Sequence, residues 1–193
     1  MKSKNKRVGL VYFERVKFVL TRPRDFFDEV LHEKGYRKST NYFALLIAVN
    51  TIVSTVVFFI VNPLDAGVHL GYLTLSILIA VVTRVIYALV GVSLVHFWIK
   101  RFGGVAGYVK TYQVFVYSRT PGLIVERIPI LGGLANIYSF YLQIIGVAKI
   151  HKISYRKVIA AYVVLILTYV VIITVLLRVA GELGILDGAA LQY

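Results

Sequence analysis

Twenty consecutive residues, Tyr42 to Val61, carry no Lys, Arg, Asp or Glu. Each helical residue advances about 1.5 Å, so a stretch of this length can cross a hydrocarbon core of about 30 Å. In lipid, a helix also satisfies its own backbone polar groups, which an irregular chain cannot do. Four further apolar runs follow. Leu70 to Ile99 is thirty residues long with one charge, Arg84. Tyr108 to Arg127 holds Arg119 near its middle, Pro129 to Val147 holds no charge, and Lys157 to Ala180 is dominated by Val, Ile and Leu. Hydrophobic residues make up 59% of the chain, where a soluble domain sits nearer half. The expectation is an all-α polytopic membrane protein, a bundle of five transmembrane helices over residues 42–61, 70–99, 108–127, 129–147 and 157–180.

Charge placement orients this bundle. Of the 22 basic residues, eighteen fall in segments that share one side if the N-terminus is cytoplasmic. Arg127 and Arg178 fall on the other side, and Arg84 and Arg119 fall within spans. Basic residues accumulate on the cytoplasmic side of membranes. The expectation is a multi-pass protein of the cell membrane with a cytoplasmic N-terminus and an extracellular C-terminal tail, residues 181–193. The formal net charge of +13 then meets anionic headgroups of the bilayer. It does not point to nucleic acid, because no basic patch is interleaved with exposed aromatics. The first 40 residues are too charged for an apolar signal core, so the chain is expected to insert by its own spans.

Residues 1–41 carry eleven Lys or Arg and five Asp or Glu. Val8 to Leu20 is too short and too charged to span, and suits an amphipathic segment in the membrane interface. Thr21 is placed as a helix cap, Pro23 in the first turn, and Gly35 as a stop. Phe26, Phe27, Val30 and Leu31 share a helical face. Two readings follow. Pro23, Phe26 and Phe27 anchor a short helix on the membrane surface, or the same face packs on the end of the bundle.

Asn62-Pro63 ends the first run. The corner Ile128 to Gly133 makes the third and fourth runs antiparallel neighbours, since only two or three residues separate them. Pro129 stands where a helix would begin, and Gly132-Gly133 allow close approach to a neighbour. Inside the third run, Pro121 frees a backbone carbonyl near Tyr117 and predicts a kink.

The sharpest clue to a site is the pair Arg84 and Arg119. A mid-membrane Arg costs roughly 2.5–3.5 kcal/mol on insertion scales, so it faces protein or water. Arg84 shares a stripe with Tyr87, Arg119 shares one with Glu126, and the fourth run adds Asn136 and Gln143. Either these groups bond to one another and lock the bundle, or they line a wet pocket for an anion or a lipid phosphate. His32, His69, His96 and His151 fall at different depths without metal-ligand spacing, and each is expected at an interface. There is no cysteine, so thiol chemistry and disulfides are excluded. No base stands beside a nucleophile at membrane depth and no phosphate-binding glycine loop is present. The expectation is no catalytic activity, no cofactor and no metal.

The corner and its flanks resemble the Yip domain family, the Ypt/Rab-interacting five-span integral membrane proteins, in its short prokaryotic or archaeal type. The resemblance lies in Tyr117-Ser118 with Thr120-Pro121, in Ile128-Pro129 with Gly132, and in Tyr138, Tyr141-Leu142-Gln143 and Gly146. His151 with Ile153-Ser154 continues it, and Arg22-Pro23 with Phe26-Phe27 is similar to the family's start. The resemblance implies five spans, a cytosolic N-terminus and an outward C-terminus. It also implies a non-catalytic role in membrane organisation, shaping or trafficking, or in partner recruitment. The family's GTPase-contacting part is a longer N-terminal region than residues 1–41, so no residue for a small GTPase is carried over. A homo-oligomer or a membrane-protein partner is the expected association. The alternative is a small transporter, channel or lipid-moving protein that uses the cavity between the two arginines.

Overall fold

The computed structural model describes residues 2–61, 70–126, 128 and 130–182. Asn62, Pro63, His69, Arg127 and Pro129 lie outside the described residues, as does the tail from 183 onward. The helices are α1 (Lys2–Thr21), α2 (Pro23–His32), α3 (Arg37–Val61), α4 (Leu70–Arg101), α5 (Tyr108–Ser118), α6 (Thr120–Val125), α7 (Leu131–His151) and α8 (Tyr155–Glu182). The all-α membrane fold is as expected, with one correction. Among the described residues, four helices rather than five are long and apolar enough to cross a membrane: Arg37–Phe58, Thr74–Arg101, Leu131–His151 and Tyr155–Glu182.

The third run is divided between α5 and α6, two helices too short to cross a membrane, and it carries Lys110 and Arg119 along its length. Pro121 has no N–H, so the carbonyl of Tyr117 loses its helical donor. The Thr120 hydroxyl donates to that carbonyl instead, at 2.7 Å. The Gly122 N–H is met from α7 by Ser139 Oγ at 3.1 Å. Local backbone chemistry therefore decides the length of unbroken helix, as the kink at Pro121 anticipated. Together α5 and α6 still run antiparallel to α7. At one end Val105 N–H donates to His151 O; at the other, Gly132 lies against the Glu126 carbonyl.

The core centres on α5. Every residue from Thr111 to Ser118 is buried, enclosed by α2, α3, α4 and α7. On α7, Gly146 is the notch that admits its neighbours. A Cβ there would stand 2.8 Å from the Phe27 ring and 2.8 Å from a Val114 methyl. Gly132 serves similarly at the corner, where a Cβ would meet the Glu126 carbonyl oxygen at 2.5 Å. Gly133 has open space around it, so the expected close approach belongs to Gly132 alone. Ile130, which precedes α7, has φ 67, a strained conformation for a β-branched residue.

The N-terminal helices correct one expectation and decide between two readings of another. Thr21 does not cap α2; it ends α1 and bonds back to Lys17 O at 2.8 Å. The residue before α2 is Arg22, followed by Pro23 in the first turn. Phe26 and Phe27, expected either as membrane anchors with Pro23 or as a face packed on the end of the bundle, are 1% and 0% exposed. They lie in the bundle, with Phe26 edge-on to Tyr117 at 5.0 Å and Phe27 over Gly146. Burying such a side chain is worth about 1.5–3 kcal/mol, and either membrane or bundle would supply it. The notch at Gly146 decides for the bundle. The later half of α1 is also docked: Tyr12 stacks on Tyr42, and Tyr138 OH donates to Leu20 O.

Packing is uneven. Half of the α7 span is buried, against 22%, 17% and 22% for the spans of α3, α4 and α8. Those three helices turn broad apolar faces outward, including Ile52, Leu78, Ile86, Ile166, Ile173 and Leu177. The end of the bundle bearing α2, Lys110 and Lys149 is the basic end, and it is tightly bonded. Among the described residues, the opposite end is thinly packed.

Candidate functional site

Arg119 occupies the break between α5 and α6, with φ −76 and ψ −7. The break turns its guanidinium over the Phe115 ring at 5.1 Å and the Tyr87 ring at 5.9 Å. Arg84 approaches from α4. It donates to the side-chain amide oxygen Oδ1 of Asn50 on α3 and, at 3.1 Å, to the Glu126 carboxylate after α6. Asn50 is itself fixed, donating to Leu123 O at 2.6 Å. One asparagine thus holds the arginine and the end of the broken helix together.

These groups enclose a cavity of about 390 Å³. Its lining includes Arg84, Tyr87, Arg119, Glu126 and Asn136, five of the six residues expected at the arginine site. Gln143 is the exception: it lies deeper in α7, buried, and accepts from Tyr162 OH at 3.0 Å. Arg84 and Glu126 form an ion pair with side chains 23% and 36% exposed. Arg119 has no carboxylate partner among the described residues. Two guanidiniums and one carboxylate leave the cavity with one surplus positive charge. A second cavity of about 230 Å³ lies beyond Arg84, lined by hydroxyl-bearing residues of α3 and α4, among them Thr51 and Thr55.

Two further polar clusters have no counterpart in the sequence reading. At the first, Glu33 is buried, with its carboxylate paired to Arg15 and accepting from Tyr117 OH at 2.7 Å. Arg15 stacks over the Tyr117 ring at 4.9 Å. Lys110 and Gln113 of α5 meet the exposed carbonyls at the end of α2: Val30 O, Glu33 O and Gly35 O. A cation there also suits the negative end of the helix dipole. Burial draws the Lys110 ammonium pKa below its ordinary value, while Glu33 pulls it the other way. These partners are 18 to 84 residues apart in the chain, and nothing in local spacing links them.

The second cluster corrects the expectation for two histidines. His96 and His151, expected separately at interfaces, share Thr111 at 2.7 and 3.0 Å. His151 is fully buried. Two ring nitrogens on one hydroxyl make a bonded strut between α4, α5 and α7. Among the described residues, no three His, Cys, Asp or Glu side chains come together as metal ligands.

The positions that carried the family resemblance have physical roles here. Tyr117 bonds Glu33, Pro121 breaks the helix, Gly132 and Gly146 admit close neighbours, Gln143 bonds Tyr162, and His151 bonds Thr111. Tyr141 is 48% exposed and stacks on Tyr138. A family model described as the Yip1 domain matches residues 17–177, from the docked part of α1 into α8. No curated protein and no solved structure matches the chain.

Proposed function

The chain belongs to the Yip1 domain family, and on that premise we propose that it is a non-catalytic integral membrane protein that organises membrane or recruits membrane partners. The observation that carries this reading is the uneven packing. In three long helices only about a fifth of the span is buried, and the exposed apolar side chains suit lipid or the helices of other proteins. The closed basic end provides a rigid base for those faces. We place that end, with the N-terminus, on the cytoplasmic side beside anionic headgroups, following the bias of its Lys and Arg residues. The tail would then face outward. A second copy of the chain or another membrane protein is the partner of choice, and a small GTPase has no support from any residue.

The chain has no cysteine, so single cysteines can be placed without a background. We expect Ile173→Cys on α8 and Leu78→Cys on α4 to cross-link in native membranes to a second copy or to one discrete membrane protein. Absence of any cross-linked protein from either face, with a buried control at Val116→Cys equally silent, would remove the recruitment role. Labelling of a cysteine at residue 36 by an impermeant reagent from outside intact cells would overturn the orientation.

A second reading, a small transporter, channel or lipid-binding protein, is favoured by one observation: Arg84 and Arg119 line the same cavity.

A further inference from the structure

The cavity described above joins two guanidiniums, one carboxylate and a ring of partly exposed side chains. Each component can be asked what it still lacks. Arg84 spends one terminal nitrogen on Asn50 and the other on Glu126. Arg119 lies against two aromatic rings and has no hydrogen-bonded or charged partner among the described residues. A guanidinium carries five N–H donors. In a low-dielectric site an unpaired charge is strongly disfavoured, and an incoming anion relieves it. Glu126 stands at the rim with its side chain 36% exposed. Tyr87 and Asn136, which also line the cavity, are exposed residues, so the cavity is not sealed.

We propose that this cavity binds one phosphate group, held by Arg119 and Arg84, with Glu126 as the internal counter-ion that the phosphate displaces. The proposal rests on the second reading given above and names its ligand chemistry. A tetrahedral group bearing several charged oxygens matches two planar forks of donors, which a single carboxylate cannot satisfy at once. The volume of about 390 Å³ falls in the range of small-molecule sites. When the site is empty, Glu126 shields Arg84. When the phosphate arrives, Glu126 moves to the exposed rim while Asn50 keeps Arg84 in place. A lipid headgroup and free phosphate are the two sources of such a group, and the chemistry at the arginines is the same for both.

The full chain, purified gently, tests this in two arms. In the first it is reconstituted with equal phosphatidylglycerol and phosphatidylcholine, and the lipid retained is counted by native mass spectrometry. In the second, inorganic phosphate is added to the delipidated protein in neutral detergent, and the rise in unfolding temperature is titrated. A lipid source predicts one retained phosphatidylglycerol per chain and no shift with phosphate. A free source predicts the shift without the retention. In whichever arm responds, Arg119→Gln should weaken binding about tenfold, the loss of one charge-assisted contact. Glu126→Gln should strengthen it several-fold. If Arg119→Gln does not fold, Glu126→Gln decides alone: tighter binding supports the displaced counter-ion, while unchanged or weaker binding overturns it. Phosphatidylglycerol retained equally by Arg119→Gln would remove this site but leave a lipid-binding protein. No retention above phosphatidylcholine and no phosphate shift would remove both.

Discussion

Tyr117 donates its hydroxyl to Glu33 at 2.7 Å, and through that bond the middle of the membrane domain is tied to the first short helix of the chain. Glu33 is also paired with Arg15, so one carboxylate joins α1, the end of α2 and α5. Its side chain is only 4% exposed. Tyr117→Phe should cost about 1.5–3 kcal/mol, the range for a hydrogen bond to a charged group, and lower the unfolding temperature in detergent. Glu33→Ala should cost more, because it leaves Arg15 and Tyr117 unpaired together. A double-mutant cycle of Arg15→Ala with Glu33→Ala should show coupling. Strict additivity would mean that the pair contributes nothing.

The notch on α7 predicts opposite results for two glycines in one helix. Gly146→Ala forces a methyl against Phe27 and Val114 and should destabilise by about 1–3 kcal/mol, the usual cost of overpacking. Gly133→Ala meets nothing and should be neutral or stabilise by up to about 1 kcal/mol through helix propensity. Equal unfolding temperatures for the two variants would refute the notch.

The break between α5 and α6 depends on one hydroxyl replacing one amide. Thr120→Val removes the donor to Tyr117 O and the partner of Tyr42 OH, 2.9 Å away. We expect a loss of about 1–3 kcal/mol, the penalty for buried groups left unpaired. Adding Pro121→Ala restores a backbone N–H facing the same carbonyl. The double variant should recover part of the loss in denaturant titrations. If Pro121→Ala instead deepens it, the proline is required for the bend itself.

Asn50 is the hinge-pin of the arginine site, holding Arg84 on one side and Leu123 O on the other. Asn50→Leu should free Arg84 to follow Glu126 and should loosen α6. A cysteine at Leu123, half-buried in the parent, should then label several-fold faster. An unchanged labelling rate would show that Asn50 does not hold this end.

Much of this architecture is legible in the chain because lipid imposes so narrow a choice on long apolar runs. Arg84, Arg119 and Glu126 were also legible, since charges inside such runs must converge on protein or water. Helical periodicity put Phe26 and Phe27 on one face but could not say whether that face meets membrane or bundle, since both are apolar. Nor could composition show that the run from Tyr108 is cut at Arg119, where a proline and a threonine reset the hydrogen bonding. Glu33, Arg15, Asn50 and the Thr111 strut were hidden for a different reason. Their partners come from distant segments, and an acid that ends up buried looks the same in sequence as one left in water.

The bundle is closed at its basic end and thinly packed at the other. At the closed end, bonds among its own side chains set the spacing of the helices. Toward the other end, the described parts of α3, α4 and α8 bury few of their side chains. Among the described residues, the chain therefore keeps its bonded polar side chains toward one end and offers most of its apolar surface toward the other.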